Sequence, residues 1–503
     1  MSLEALRREI GAISDLLCAA SVLVWDSRTF MPPGGVEARG RQIATLTDAA
    51  RERLLGAPTR RALDAAEAAV AGSPRDAPEA REVAAVREAL AFHDRIPGDL
   101  IRRKAELRSR ANAAWAAARA RDDFALFAPT LAATIELQRA YADAIGYADH
   151  PYDALIALYE PGGTIAGMRR LFDALRPTLR EVGEVAEARP APSADFLARP
   201  YPAEDQRRFV ERVAGAFGFD LARGRIDFTL HPFEVSFTRH DVRLTMRRAE
   251  TFDPPALFGA FHEIGHGLYE QNVDEAHTRT ALATDLKGLY AVGGTSFGAH
   301  ESQSRLWENH VGRSRPFWEA HYGALRDAFA PSLDDVTLDR FHAAILRARR
   351  GPIRTDADEP SYDLHVMLRV EIEADLIGGR LAVRDVPEAW RAAMTRDLGV
   401  TPRGDADGCL QDIHWSSGMF GSFSTYTIGN VMAAQLFEAA SAEAGVAAGL
   451  GQADYRPLGD WLRERVWRHG RALGRDEILA RATGRGLDPA PYLRHLRRRY
   501  AGA

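Results

Sequence analysis

Residues Phe261 to Glu270 read FHEIGHGLYE, with two histidines four positions apart and a glutamate directly after the first. Residues four apart share one face of an α-helix. His262 and His266 can therefore aim ring nitrogens at a common ion while Glu263 sits beside it without ligating. The flanking sequence predicts a helix: Phe258, Phe261, Ile264 and Leu268 keep helical apolar spacing, and DPP at Asp253 to Pro255 has the form of a helix start. Small Gly265 leaves room for close packing beside the ion. With 15 histidines, and half of the 70 acidic residues taken as glutamate, chance supplies roughly 0.03 such patterns in this chain. A pair of satisfied core histidines is the weaker reading.

A catalytic zinc site needs a third protein ligand and an open fourth position. Downstream, GAHESQSRLWENHVGRS (298–314) offers Glu301 or His300 from a second helix. Glu308, seven residues beyond Glu301, is a weaker candidate and reads more simply as a salt-bridged glutamate. A His, His, Glu set leaves a place for a polarised water, whose proton Glu263 can take during attack on a carbonyl.

Outward from this helix, most of the chain shows apolar residues three and four apart, as in EVAAVREALAFHDRIPG (82–98), so a mainly α fold is expected. One stretch departs from this pattern. RIDFTLHPFEVSFTRHDVRLTMRRAE (225–250) alternates apolar residues and predicts a small antiparallel β meander directly before the metal helix, whose free edge offers an extended peptide a place to add as a strand. The Pro-rich ARPAPSADFLARPYPAED (188–205) marks the best boundary. We expect a helical part over 1–190 and a catalytic part over 191–503, together forming one continuous unit.

The 503 residues are 46% hydrophobic with a net charge of -5, which argues against dominant disorder and against generic nucleic-acid binding. Two cysteines, Cys18 and Cys409, exclude a disulfide framework and fit a reducing, cytoplasmic setting. The apolar run Leu16 to Trp25 is approached through acidic Glu9 and Asp15 and lacks a small-residue cleavage site, so it does not read as a signal peptide. No stretch is expected to cross a membrane.

Two further clusters are rich in polar residues. PIRTDADEPSYDLH (352–365) carries Arg354, which either clamps a substrate carboxylate or pairs with Asp356 and Asp358. GCLQDIHWSSGMFGSFSTYTIGN (408–430) carries Gln411, Asp412, His414 and Tyr426, of which His414 and Tyr426 can donate to a developing oxyanion.

Taken together, VWDSRTFMPPGG at Val24, HPYDALIALYEPG at His150, HPF at His231, DVRLT at Asp241, HEIGHGLYEQ at His262, HESQSRLWENHVGRS at His300, IRTDAD at Ile353 and GCLQDIHW at Gly408 resemble the carboxypeptidase Taq family of metallocarboxypeptidases, in family order over nearly the whole chain. The resemblance implies a boat-shaped helical protein with a deep groove, a Zn²⁺ or Co²⁺ ion, homodimers, and removal of carboxy-terminal residues with broad specificity. It makes His262, His266 and Glu301 the ligands, Glu263 the base and Arg354 the carboxylate anchor. Gln411, Asp412 and His414 then line the substrate site, and Arg243 of the DxRxT motif joins the substrate-binding residues. Tyr426 as a transition-state donor follows from similarity to the wider group of helical groove peptidases that includes angiotensin-converting enzyme. YEQN and GSFSTY depart from the usual family pattern but touch neither ligand nor base.

The leading function is release of carboxy-terminal amino acids from peptides by Glu-assisted attack of a metal-bound water. An oligopeptidase or dipeptidase with the same chemistry is the first alternative, and a metal-containing binding protein without catalysis is the second. No nucleic-acid or membrane partner is expected.

Overall fold

In the computed structural model, which describes residues 2–190 and 193–502, the chain forms twenty α-helices and a single three-stranded sheet among those residues. Backbone contacts divide it into two compact units. One comprises Met1–His93, Pro192–Leu346 and Met432–Asp488, and the other Asp94–Ala191, Arg347–Val431 and Pro489–Ala503. Segments distant in sequence thus interleave in each unit; the expected boundary between 190 and 191 adjoins residues 191 and 192, which lie outside those described.

In the first unit, the amino-terminal helix Ser2–Thr29 buries Leu6, Ile10, Ile13 and Leu17 and packs on the helices Val36–Leu55 and Ala57–Val70. Within Leu3–Thr29 an 18-residue window is apolar enough to cross a membrane by length and composition alone, a stretch the expectation above did not allow for.

The sheet comprises β1 (Gly224–Thr229), β2 (Glu234–Thr238) and β3 (Asp241–Arg247) in the order β1-β3-β2. β2 and β3 form an antiparallel hairpin, but β1 runs parallel to β3, with Gly224 opposite Val242 and Thr229 opposite Arg247. The sheet is therefore mixed, not the antiparallel meander expected. The chain leaves β1 through Leu230–Phe233 and enters the opposite edge, leaving β3 in the middle. β3 is the most deeply buried strand, with Val242, Leu244, Thr245 and Met246 all inside, as a central position requires. The register shifts between Ser236 and Thr238, and the Phe237 carbonyl there accepts a hydrogen bond from the Cys18 thiol at 2.8 Å.

β2 and β3 pack against the helix Pro254–Gln271. Prolines occupy its first turn, where their missing N–H groups cost nothing. Phe258, Phe261, Ile264 and Leu268 are buried in an aromatic core with Phe217, Trp307, Phe317 and Trp318, and each contributes about 1.5–3 kcal/mol of apolar burial. Polar residues on the other faces are mostly buried as well, so this helix lies inside the unit.

Candidate metal centre and arginine cluster

His262 and His266 project from the Pro254–Gln271 helix toward a second helix, Phe297–Arg305, whose start is capped by the Ser296 hydroxyl accepting from the Ala299 amide. The two helices meet at Gly265. A β-carbon there would lie 2.5 Å from the Gln303 carbonyl oxygen and 2.6 Å from the Ser304 Cα, so only glycine permits this crossing.

That approach places Glu301 Oε2 3.4 Å from His262 Nε2 and 3.4 Å from His266 Nε2. The three donor atoms lie within 4.8 Å of one another. Ligand bonds of about 2.0–2.1 Å at tetrahedral angles separate donor atoms by about 3.3 Å. The donor set and its spacing thus fit a divalent cation of the zinc type. Both imidazoles present Nε2 inward because their Nδ1 atoms are engaged elsewhere: His262 Nδ1 lies 3.1 Å from Glu308 Oε2, and His266 Nδ1 is within hydrogen-bond reach of His300 Nδ1. His300 in turn bonds Glu270 through Nε2 at 2.7 Å. His300 and Glu308, both weighed as ligands from sequence, support the imidazoles from behind instead.

The electrostatics favour a cation between these groups. Burial works against a charged His262 ring, but Glu301 and Glu308 outweigh it and raise the ring to about 10. Burial and neighbouring His300 lower His266 to about 3. Glu301, despite burial, is held well below the ordinary carboxylate range by His262 and Arg305. Glu263 is buried beside the triad, and burial pushes its carboxyl up to about 7.

The other polar motifs assemble in the second unit. Arg354, in the short helix Arg354–Asp356, donates to Asp412 Oδ1 from Nε at 3.1 Å and Nη2 at 2.8 Å, and to the Tyr362 hydroxyl from Nη1 at 3.0 Å. Asp412 Oδ2 accepts from Arg369 Nε at 2.7 Å. One carboxylate therefore serves two buried guanidiniums, leaving a net positive charge and unused N–H groups on Arg354, an arrangement suited to a second carboxylate. Arg354 pairs with neither Asp356 nor Asp358, the internal partners weighed from sequence. Asp358 instead caps the helix Glu359–Ile377.

Gln411 spends its side chain on the backbone, accepting from the Arg354 amide and donating to the carbonyls of Pro352, Asp407 and Gly408. It holds the Arg354 turn in place rather than offering free groups to a ligand. His414 Nε2 lies 3.2 Å from the Tyr426 hydroxyl, its ring stacks on Phe423, and burial lowers it to about 3, so it stays neutral. In the first unit, Arg243 forms a bidentate pair with Asp241 and lies over the rings of Trp25 and Phe237.

The model of the carboxypeptidase Taq (M32) metallopeptidase family matches residues 5–500. The chain belongs to the M32 metallopeptidase family. Among its relatives, thermostable carboxypeptidase 1 of Thermus thermophilus is 37% identical, with 98% of this chain and 97% of that protein covered. Carboxypeptidase 1 of Bacillus subtilis is 34% identical over 96% of this chain and 95% of its own length. The crystal structure of the M32 carboxypeptidase from Deinococcus radiodurans R1 superposes with a TM-score of 0.93 at 40% identity, covering 100% and 99% of the two chains. The protein is thus a metallocarboxypeptidase of the mainly helical M32 fold.

Sequence reading of this M32 enzyme missed three residues that shape the clusters. Arg369 was visible as a lone arginine inside the apolar helix segment LHVMLRVEI (364–372), where a charge needs a partner. Arg305 stands four residues after Glu301 and three before Glu308, the spacing of same-face helix pairs. Glu270 lies four residues after His266, but its link to it runs through His300 and has no local signature.

Proposed function

We propose that this metallocarboxypeptidase hydrolyses the last peptide bond of short peptides, with Glu263 as general base and Arg354 as the anchor for the free carboxylate. His262, His266 and Glu301 hold the divalent cation, Zn²⁺ or, with the same donors, Co²⁺. When bound, the cation polarises the scissile carbonyl and acidifies water. Glu263 accepts the proton of the attacking water and returns it to the departing amine. His414 and Tyr426 are assigned as hydrogen-bond donors to the oxyanion, with Tyr426 able to donate its hydroxyl proton directly. Broad tolerance of the released residue, a homodimeric state and a cytoplasmic location complete the proposal. The first two rest on the family resemblance, and the third on two cysteines that are both free thiols.

The observation that carries this reading is the convergence of two imidazole nitrogens and one carboxylate oxygen at 3.4 Å spacings, with Glu263 buried alongside. Glu263→Gln keeps shape and removes the base. We expect kcat to fall by about 10²–10⁴-fold with metal content unchanged; a variant retaining kcat within about tenfold of the parent removes Glu263 from the mechanism.

A further inference from the structure

Glu301 has two oxygens, yet only Oε2 faces the imidazoles. Oε1 accepts from Arg305 Nε at 2.8 Å. The same guanidinium donates through Nη1 to Glu308 Oε2 at 3.2 Å, and that oxygen receives His262 Nδ1. The other Glu308 oxygen accepts from Arg313 Nη2 at 3.3 Å, and Arg313 lies 3.9 Å above the Phe258 ring. Arg305 therefore ties the carboxylate of one candidate ligand to the carboxylate behind another.

The helix makes this bridge available. Arg305 ends the α-helical segment Phe297–Arg305, and the chain widens into a π-helix over Leu306–Gly312. Glu301 lies one turn before Arg305, and Glu308 follows it in the widened turn. All three side chains are largely buried, at 8%, 13% and 11% exposure, so each carboxylate needs a compensating partner. A planar guanidinium serves two carboxylates at once, whereas an ammonium is a single point charge on a flexible stem.

We propose that Arg305 is a positioning residue that makes Glu301 a one-oxygen ligand, keeping a coordination position open on the cation while fixing Glu308 behind His262. This rests on the reading that His262, His266 and Glu301 hold the cation. With Oε1 withdrawn by Arg305, Glu301 would offer a bound cation one oxygen, beside one nitrogen from each imidazole. If Oε1 were released, the carboxylate would swing to share both oxygens and fill the position that water and substrate need. The loss of Arg305 also frees Glu308 to rotate away from His262 Nδ1, loosening that ring.

The test uses metal-stripped full-length protein as wild type, Arg305→Met and Arg305→Lys. Zinc affinity is measured by competition with a chromophoric chelator, folding by thermal melting of the apoproteins, and coordination by the visible absorption of the cobalt(II)-loaded forms, which weakens as coordination number rises. Both variants are expected to bind zinc about 10–100-fold more weakly and to show weaker cobalt absorption, with lysine failing to rescue. Affinities within about threefold of wild type and an unchanged cobalt spectrum overturn the role of Arg305. Where the methionine variant does not fold, the lysine variant, which keeps the charge, decides by the same readings. Wild-type apoprotein that binds neither zinc nor cobalt overturns the metal reading itself, a different outcome from a variant that matches a metal-binding wild type.

Discussion

Gly265 and Gln303 meet backbone to backbone: a β-carbon on Gly265 would lie 2.5 Å from the Gln303 carbonyl oxygen. The distance between the two ligand-bearing helices is therefore set by the absence of one methyl group. Alanine at this position gains about 1 kcal/mol of helix propensity, but the atoms it meets are main chain and cannot rotate aside. Overpacking of this kind costs about 1–3 kcal/mol. Gly265→Ala is expected to lower the unfolding midpoint and to weaken zinc binding, because Glu301 moves away from His262 and His266. Chemical denaturation and metal titration check both effects. A variant as stable and as tight for zinc as the parent shows that the contact does not set the site.

The Asp412 carboxylate pairs with the buried guanidiniums of both Arg354 and Arg369. Removing its charge while keeping its shape, as in Asp412→Asn, removes the carboxylate hydrogen-bonded to both buried cations. Breaking a buried pair in this way costs about 3–5 kcal/mol. The change in unfolding free energy from denaturant titration measures it. A loss below about 1 kcal/mol contradicts the assignment of Asp412 as their counter-ion.

Substituting Arg354→Gln removes the proposed carboxylate clamp but leaves Asp412 paired with Arg369. A pair of charge-assisted hydrogen bonds contributes about 3–6 kcal/mol, so kcat/KM toward a peptide with a free carboxylate is expected to fall by about 10²–10⁴-fold. Steady-state kinetics supply the value. A decrease of less than about fivefold would place the anchor elsewhere.

Glu373 provides a pH signature. Its carboxylate accepts from the Tyr152 hydroxyl at 2.6 Å, the Trp415 indole at 2.9 Å and the Gly421 amide at 2.9 Å. Burial still dominates and pushes its pKa up from 4.5 to about 7. Because the folded value lies above the unfolded one, the protonated form is favoured in the fold. Its stabilisation is fully present below about pH 4.5 and is lost as the pH rises through about 7. Relative to Glu373→Gln, the wild type is expected to lose about 1–3 kcal/mol between pH 5 and 8. Melting curves of both proteins across that range check the sign. Parallel pH profiles, or a wild type that gains on the variant as pH rises, contradict it.

The parts of this protein legible in the sequence are those with local periodicity. Helical content follows from apolar spacing, and the shared face of His262 and His266 follows from their separation of four. From its own segment Glu301 stood level with His300 as a ligand from a second helix, and only the family resemblance singled it out. Strand order was not legible: alternation in 225–250 says which side chains face inward but not which strand lies in the middle, which the pairing of β3 with both β1 and β2 decides. The interleaving of the two units was hidden because it depends on contacts between segments hundreds of residues apart. The supports behind the ligands were legible only in part. Arg305 follows helical spacing, but the links from Glu308 to His262 and from Glu270 through His300 to His266 depend on how two helices cross at Gly265.

The account stands most directly on hydrolysis of a blocked dipeptide and its carboxy-amidated twin by the metal-stripped enzyme, with and without added Zn²⁺ or Co²⁺. It predicts release of the terminal amino acid from the free acid alone, and only after metal is restored. Equal cleavage of the amidated twin, or full activity without metal, contradicts it.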